Sequence, residues 1–132
     1  MKVVLDTNVL VSALAIPGGK GDEALGRILT GGHELLLSKP ILDELLGVMA
    51  RKFSRDVEEL ARLAVFLADM ATFVKPRIRL RLAADEPDNR ILECAVAGGA
   101  DVVVSGDKAL LSLGRVENVR ILSVKEFLEE AR

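Results

Sequence analysis

At 132 residues the chain is long enough for one core that buries roughly two-thirds of the unfolded surface, so a single domain spanning residues 1–132 is expected. Half of the residues are hydrophobic and the formal net charge is −2, which excludes both a disordered chain and a generally basic nucleic-acid coat. Cys94 is the one cysteine, which excludes an internal disulfide and fits a reducing cytoplasm; no apolar run reaches the roughly 18 residues of a membrane span, and MKVVLDTN lacks the pattern of a signal peptide.

The first predicted element is a strand, Val3 to Leu5, apolar on both faces and ended by Asp6. A charge that closes an apolar strand is costly to bury alone, so Asp6 calls for a partner or a metal. Thr7 and Asn8 read either as turn formers or as residues that position a water beside that site. Ile16 to Asp22 reads as a loop. Its Pro17-Gly18-Gly19-Lys20-Gly21 run looks phosphate-friendly, but a Walker loop needs glycine at position 14 and Ser or Thr at 21, where this chain has Leu14 and Gly21. His33, with a structural role, opens a second strand, Leu35 to Leu37.

A helix follows from Pro40 to Lys52, with Ile41, Leu45, Val48 and Met49 on one face. Glu44 lies at the edge of that stripe, whereas Asp43 falls on the side of Gly47 and Ala50. A second helix, Val57 to Ala71, aligns Val57, Leu60, Ala61, Ala64, Leu67, Ala68 and Ala71. Strand Thr72 to Val74 leads into a loop, Pro76 to Pro87. The helix Pro87 to Ala97 turns Ile91, Leu92 and Ala95 inward, with Asp88 on the same face and Asp85 outside that register, and Gly98-Gly99 stops it. Strand Val102 to Val104 passes through a Ser105-Gly106 turn to Asp107 and a short helix, Lys108 to Leu113. Strand Ile121 to Leu122 and helix Val124 to Ala131, carrying Phe127 and Leu128, complete the chain.

Alternating helices and doubly apolar strands predict an α/β fold: a three-layer α/β/α sandwich around a parallel sheet of about five strands. In such sheets the ligand crevice lies outside the carboxyl ends of the strands. Asp6 and Asp107 belong at that edge, and Glu44 and Asp88 sit on helices able to reach it. Two unit charges about 4 Å apart repel by about 4 kcal/mol at an effective dielectric near 20, so four converging carboxylates require protons or cations. One or two Mg²⁺ or Mn²⁺ ions would answer that need and support phosphodiester hydrolysis. The acids other than Asp6 also have a plainer reading: Asp85, Asp88 and Asp107 as helix caps, Glu44 as a solvated helix residue.

Taken together, LDTN near the start, DEL in a helix, DEPDNRILECAVAGGADVVVSGDKALL in the second half and ILSVKEFL at the end resemble the PIN-domain nucleases, over essentially the whole chain. More narrowly they resemble the toxin components of toxin–antitoxin pairs. The resemblance implies a sheet ordered 3-2-1-4-5 and cleavage of single-stranded RNA by an acidic quartet holding Mg²⁺ or Mn²⁺. It places that quartet on Asp6, Glu44, Asp88 and Asp107, supported by Asn8, Asp85 and Ser105. Ser105 stands where such proteins often carry Thr, and both provide a hydroxyl. A homodimer and a cognate antitoxin protein are implied as partners, while RNA processing and non-catalytic RNA binding are the alternative roles.

Lys75, Arg77, Arg79 and Arg81 form one basic segment and Arg51, Lys52 and Arg55 another; each reads equally as phosphate contacts or as solvated surface. With four Phe and no Tyr or Trp, base stacking is minor. A mean hydropathy of +0.32 is high for a small chain and suggests apolar surface covered by a second copy or a partner. A haloacid-dehalogenase-type phosphatase would need an Asp two residues after Asp6, where this chain has Asn8.

Overall fold

In the computed structural model, residues 1–131 are described. Strand β1 (Lys2–Leu5) leads into helices α1 (Thr7–Ala15) and α2 (Lys20–Thr30), then β2 (Glu34–Ser38), α3 (Lys39–Phe53), α4 (Val57–Met70) and β3 (Ala71–Val74). After a long loop come α5 (Glu86–Ala97), β4 (Val102–Val104), α6 (Lys108–Leu113), the short β5 (Arg115–Val116), β6 (Val119–Leu122) and α7 (Val124–Glu130). The sheet runs in the order β3-β2-β1-β4-β6-β5. Every pairing is parallel except β5 with β6, which is antiparallel.

The five parallel strands therefore follow the expected 3-2-1-4-5 order, with β6 in the fifth place. The small β5 hairpin strand is an addition to that expectation, because two residues carry no periodicity. Val3, Val4 and Val102 to Val104 are all fully buried, which is why these strands read as apolar on both faces. The strand order reverses between β1 and β4, where Val3, Val4 and Leu5 pair with Val102, Val103 and Val104. That register carries the two strands forward side by side, so the residues that follow, Asp6 and Ser105, emerge as neighbours at the carboxyl edge.

Three helices differ from expectation. Thr7 and Asn8 form the first turn of α1 instead of an isolated turn, and Lys20 to Asp22 already belong to α2, leaving only Ile16 to Gly19 as a connection. Gly21, expected to be loop, is a contact point: a Cβ there would meet the Ala13 backbone nitrogen at 2.8 Å, so its missing side chain lets α2 approach α1. Helix α4 differs in the opposite sense. Of its predicted apolar stripe only Leu67 is buried, Val57, Ala61 and Ala68 are exposed, and Val65 and Phe66 also face outward.

Candidate active site

Asp6 follows directly from the end of β1 and caps α1. Its Oδ1 accepts the Val9 N–H at 2.8 Å and its Oδ2 accepts the Ser105 hydroxyl, while its own N–H donates to the Val104 carbonyl at 3.0 Å. Ser105 is fully buried and its oxygen also accepts the Asp107 N–H at 2.9 Å. One serine thus ties the ends of β1 and β4 together. Asp107 caps α6, its Oδ1 accepting from Ala109 at 2.7 Å and Leu110 at 3.2 Å. Both aspartates are held by one oxygen or more against backbone or hydroxyl donors, which fixes their direction.

The helix acids are held differently. Asp85 occupies the N-cap position of α5 but makes no side-chain cap bond. Asp88, in the first turn, is nearly buried, and its Oδ2 has no hydrogen-bond partner. Capping therefore accounts for Asp107, which remains free to use Oδ2, and for neither Asp85 nor Asp88. On α3, Glu44 is half-buried, whereas Asp43 is exposed and paired with Lys39 at 2.7 Å. Helix phase separates the two acids as expected.

Asp6, Glu44, Asp85, Asp88 and Asp107 line one cavity of about 60 Å³, together with Thr7, Asn8, Pro87 and Ile91. Asp85, placed outside the helical register by sequence, joins the others because the N-cap precedes the helix and escapes its periodicity. Asn8 is exposed on the rim. Ser105 stands behind the cavity, supporting two of its acids without lining it.

Crowded carboxylates in a partly dry cleft resist ionisation. Burial, then the charges of Asp107, Asp85, Asp6 and Glu44, push Asp88 up to about 6. Burial raises Asp6 too, against the hydrogen bonds from Ser105, Val9 and Gly106, and the charge of Asp107 adds to the rise. Glu44 is raised by burial and by Asp85 and Asp6, with Arg51 opposing. Arg51 folds back over Gly47, where a Cβ would meet its Nη1 at 3.1 Å.

The donor set fits a hard divalent cation: the five converging acids offer only oxygen, the charges of its four acidic neighbours raise Asp88, and one buried carboxylate oxygen of Asp88 is unpartnered. Among the described residues no three acids, histidines or cysteines are already gathered as a ligand shell.

Sequence reasoning missed two buried polar residues that build the approach to this cavity. Asn89 Oδ1 accepts the Leu82 and Ala83 N–H groups at 3.1 and 2.9 Å, and its Nδ2 donates to the Ala83 carbonyl at 3.0 Å. Glu93 accepts the Leu80 N–H at 2.8 Å and pairs with Arg90, also at 2.8 Å. The available signal was two polar residues four apart, sharing one face of a helix whose Ile91, Leu92, Cys94 and Ala95 make it apolar on its other sides. Cys94 itself is fully buried, and that burial pushes its thiol up to about 11, so it is a structural residue.

The PIN-domain family model matches residues 2–109. The chain belongs to the PIN-domain family. The matched stretch contains all five cavity acids and stops short of β5, β6 and α7. Members of this family are nucleases that generally use divalent metal ions. An uncharacterized protein of Methanocaldococcus jannaschii is 28% identical over 142 aligned positions, covering 98% of this PIN domain's chain and 91% of its own. A chain in VapBC-1 from nontypeable Haemophilus influenzae superposes with a TM-score of 0.67 at 16% identity, covering 95% of this chain and 99% of that one. A chain in VapBC2 from Rickettsia felis, bound to a DNA fragment from their promoter, gives 0.63 at 17% identity, with 93% and 98% covered. At such identities these likenesses speak for the PIN fold alone.

Proposed function

We propose that this PIN domain is a Mg²⁺- or Mn²⁺-dependent endoribonuclease that cuts single-stranded RNA at the acidic cavity. The observation that carries the reading is the convergence of five carboxylates on one cavity at the point where the strand order reverses, with Asp88 held near a pKa of 6 and one of its buried oxygens unpartnered. Asp6, Glu44, Asp88 and Asp107 are the residues that would hold the cation. A bound divalent ion supplies charge for the phosphoryl oxygens and lowers the pKa of water at neutral pH.

The chain's own residues do the rest. Ser105 keeps Asp6 and Asp107 aligned through one hydroxyl, α1 and α6 hold the same two acids by their N-terminal N–H groups, and Asp85 adds negative charge that attracts a cation to the cavity. Thr7, buried with an unpartnered hydroxyl, and Asn8 on the rim are the neutral polar groups placed to orient water or substrate.

The same proposal extends to a cytoplasmic toxin held in check by an antitoxin protein. Its support is the fold shared with chains of the two VapBC structures. Pairing into a homodimer is supported by the apolar side chains that α4 and β3 leave exposed, among them Val65, Phe66, Met70 and Phe73.

The test is labelled single-stranded RNA incubated with the protein in Mn²⁺, Mg²⁺ or EDTA, beside Asp6→Asn. Cleavage is expected with either metal and in neither EDTA nor the variant, while Asp43→Asn should cost little beside Glu44→Gln. Cleavage that persists in EDTA would overturn the mechanism.

A further inference from the structure

The cavity is too small for a nucleotide. At about 60 Å³ it has room for ions and a few waters, so a nucleic-acid strand has to lie across its rim and be held from outside. The acids that line it repel phosphate. Binding therefore needs compensating positive charge nearby, in a chain whose net charge is −2.

That charge stands on the loop between β3 and α5. Lys75, Arg77, Arg79 and Arg81 occupy every second position and are all exposed. Among the described residues none of the four makes an ion pair, a property shared with Lys2, Arg51, Lys52, Lys108, Arg115 and Lys125, but only these four are clustered on one loop that ends at the cavity. β3 runs parallel to β2 and β1, so Val74 ends at the carboxyl edge, and the loop finishes at Asp85 and Asp88 beside the cavity. The loop thus crosses that edge from the outermost strand to the acids.

It is also fastened there. Asn89, fully buried, holds Leu82 and Ala83, Glu93, 4% exposed, holds Leu80, and the Leu80 side chain packs against the core. Glu93 is neutralised by Arg90 at 2.8 Å and uses the same carboxylate to hold the loop, so the loop is tied to an ion pair on α5. The four exposed cations stand at alternate positions leading up to and through this fastened stretch. Three of them are arginines, whose planar forks suit phosphate oxygens, and the exposed Ile78 and Leu82 between and beyond them offer apolar contact to a ribose or base.

We propose that Lys75, Arg77, Arg79 and Arg81 form a cationic rail that holds the phosphates of a single-stranded nucleic acid and leads it across the rim of the acidic cavity. The proposal rests on the nuclease reading of that cavity, but it concerns binding and is tested without cleavage. An extended strand is favoured over a duplex because the row is one loop wide, with no helix or ribbon to enter a groove.

Fluorescence anisotropy of a labelled single-stranded RNA is measured with the full chain in EDTA, from about 50 to about 200 mM salt, the range over which phosphate binding dominates the change. A variant carrying Lys75→Gln, Arg77→Gln, Arg79→Gln and Arg81→Gln is compared with one carrying Lys20→Gln, Arg62→Gln, Arg115→Gln and Lys125→Gln, which removes the same charge elsewhere. The plot of log affinity against log salt should be shallower for the rail variant by about 0.7 for each phosphate no longer neutralised, approaching about 2.8 for four. The control variant should keep the wild-type slope. Thermal melting of both variants close to wild type shows that the fold is intact. Equal slopes in the two variants, or no change in either, would overturn the rail. Polyglutamate displacing the RNA at equal charge concentration, through the same four cations, would assign the surface to an acidic protein and overturn it as well. A chain that never cleaves RNA can still pass this test, and one that cleaves normally can still fail it.

Discussion

Asp88 is the residue at which charge, burial and hydrogen bonding conflict most. Its carboxyl is raised from 3.8 to about 6 by burial and by four acidic neighbours, so the folded protein binds a proton there that the unfolded chain releases. Between about pH 4 and 6 the native state holds more protons than the unfolded state, and stability therefore falls as pH rises through that window. Above about pH 6 the whole penalty applies, at most about 3 kcal/mol for a shift of this size. In EDTA, Asp88→Asn should raise the melting temperature at pH 8, leave it nearly unchanged at pH 4, and flatten the curve between. Mn²⁺ should then stabilise wild type more than the variant, because a ligand stabilises only the state that binds it. Melting curves from pH 4 to 8 with and without Mn²⁺ check both expectations; a variant no more stable than wild type at pH 8 would mean that Asp88 carries no such strain. Ser105 lies on the other side of the same balance. Ser105→Ala leaves Asp6 Oδ2 and the Asp107 N–H without their partner and should cost about 1–3 kcal/mol in chemical denaturation.

Helices α1 and α2 show how one missing side chain sets an element's position. At Gly21 an added Cβ would come within 2.8 Å of the Ala13 backbone nitrogen and 3.0 Å of the Val9 carbonyl oxygen, atoms that cannot step aside without moving α1. At Gly26, five residues on in the same helix, nothing lies within 4 Å. Gly21→Ala should therefore destabilise by about 1–3 kcal/mol as an overpacked contact, and Gly26→Ala should stabilise by about 0.5–1 kcal/mol through helix propensity. Urea unfolding of the two variants checks the pair; similar values of one sign would show that the α1–α2 approach does not depend on Gly21. Because α1 begins at Asp6, a shift of this helix also reaches the site, so Gly21→Ala should weaken RNA cleavage and Gly26→Ala should not.

Across the whole molecule, apolar surface is distributed unevenly. Val65 is 60% exposed and Phe66, Met70 and Phe73 more than 40%, all on α4 and the outermost strand β3, while the opposite end of the sheet is closed by the β5 hairpin and α7. If two copies pair through this face, the double variant Val65→Asp, Phe66→Asp should shift the sedimentation coefficient from dimer to monomer without lowering thermal stability at high dilution. An unchanged sedimentation profile would remove α4 from the interface.

The layered α/β architecture and the four acids were legible in the chain because each leaves a local mark. A doubly buried strand has to be apolar throughout, as in Val3 to Leu5 and Val102 to Val104, and a charge closing such a strand, as Asp6 does, stands out against it. Helix phase alone separated Glu44 from Asp43. What tertiary structure decided has no such local mark. Helices α1 and α2 lie on either side of a Gly-rich run that looks like a loop until Gly21 is seen against Ala13, and the outward face of α4 has the same periodicity as a buried one. Periodicity reports which residues can share a face; only the placement of neighbouring elements determines whether that face meets a core or water. The same holds at the cavity: Asp85 lies outside the helical repeat, yet it joins the other acids because parallel register, through Asp6, Ser105 and Asp107, brings the strand ends to one point where burial and mutual repulsion give those carboxylates their chemistry.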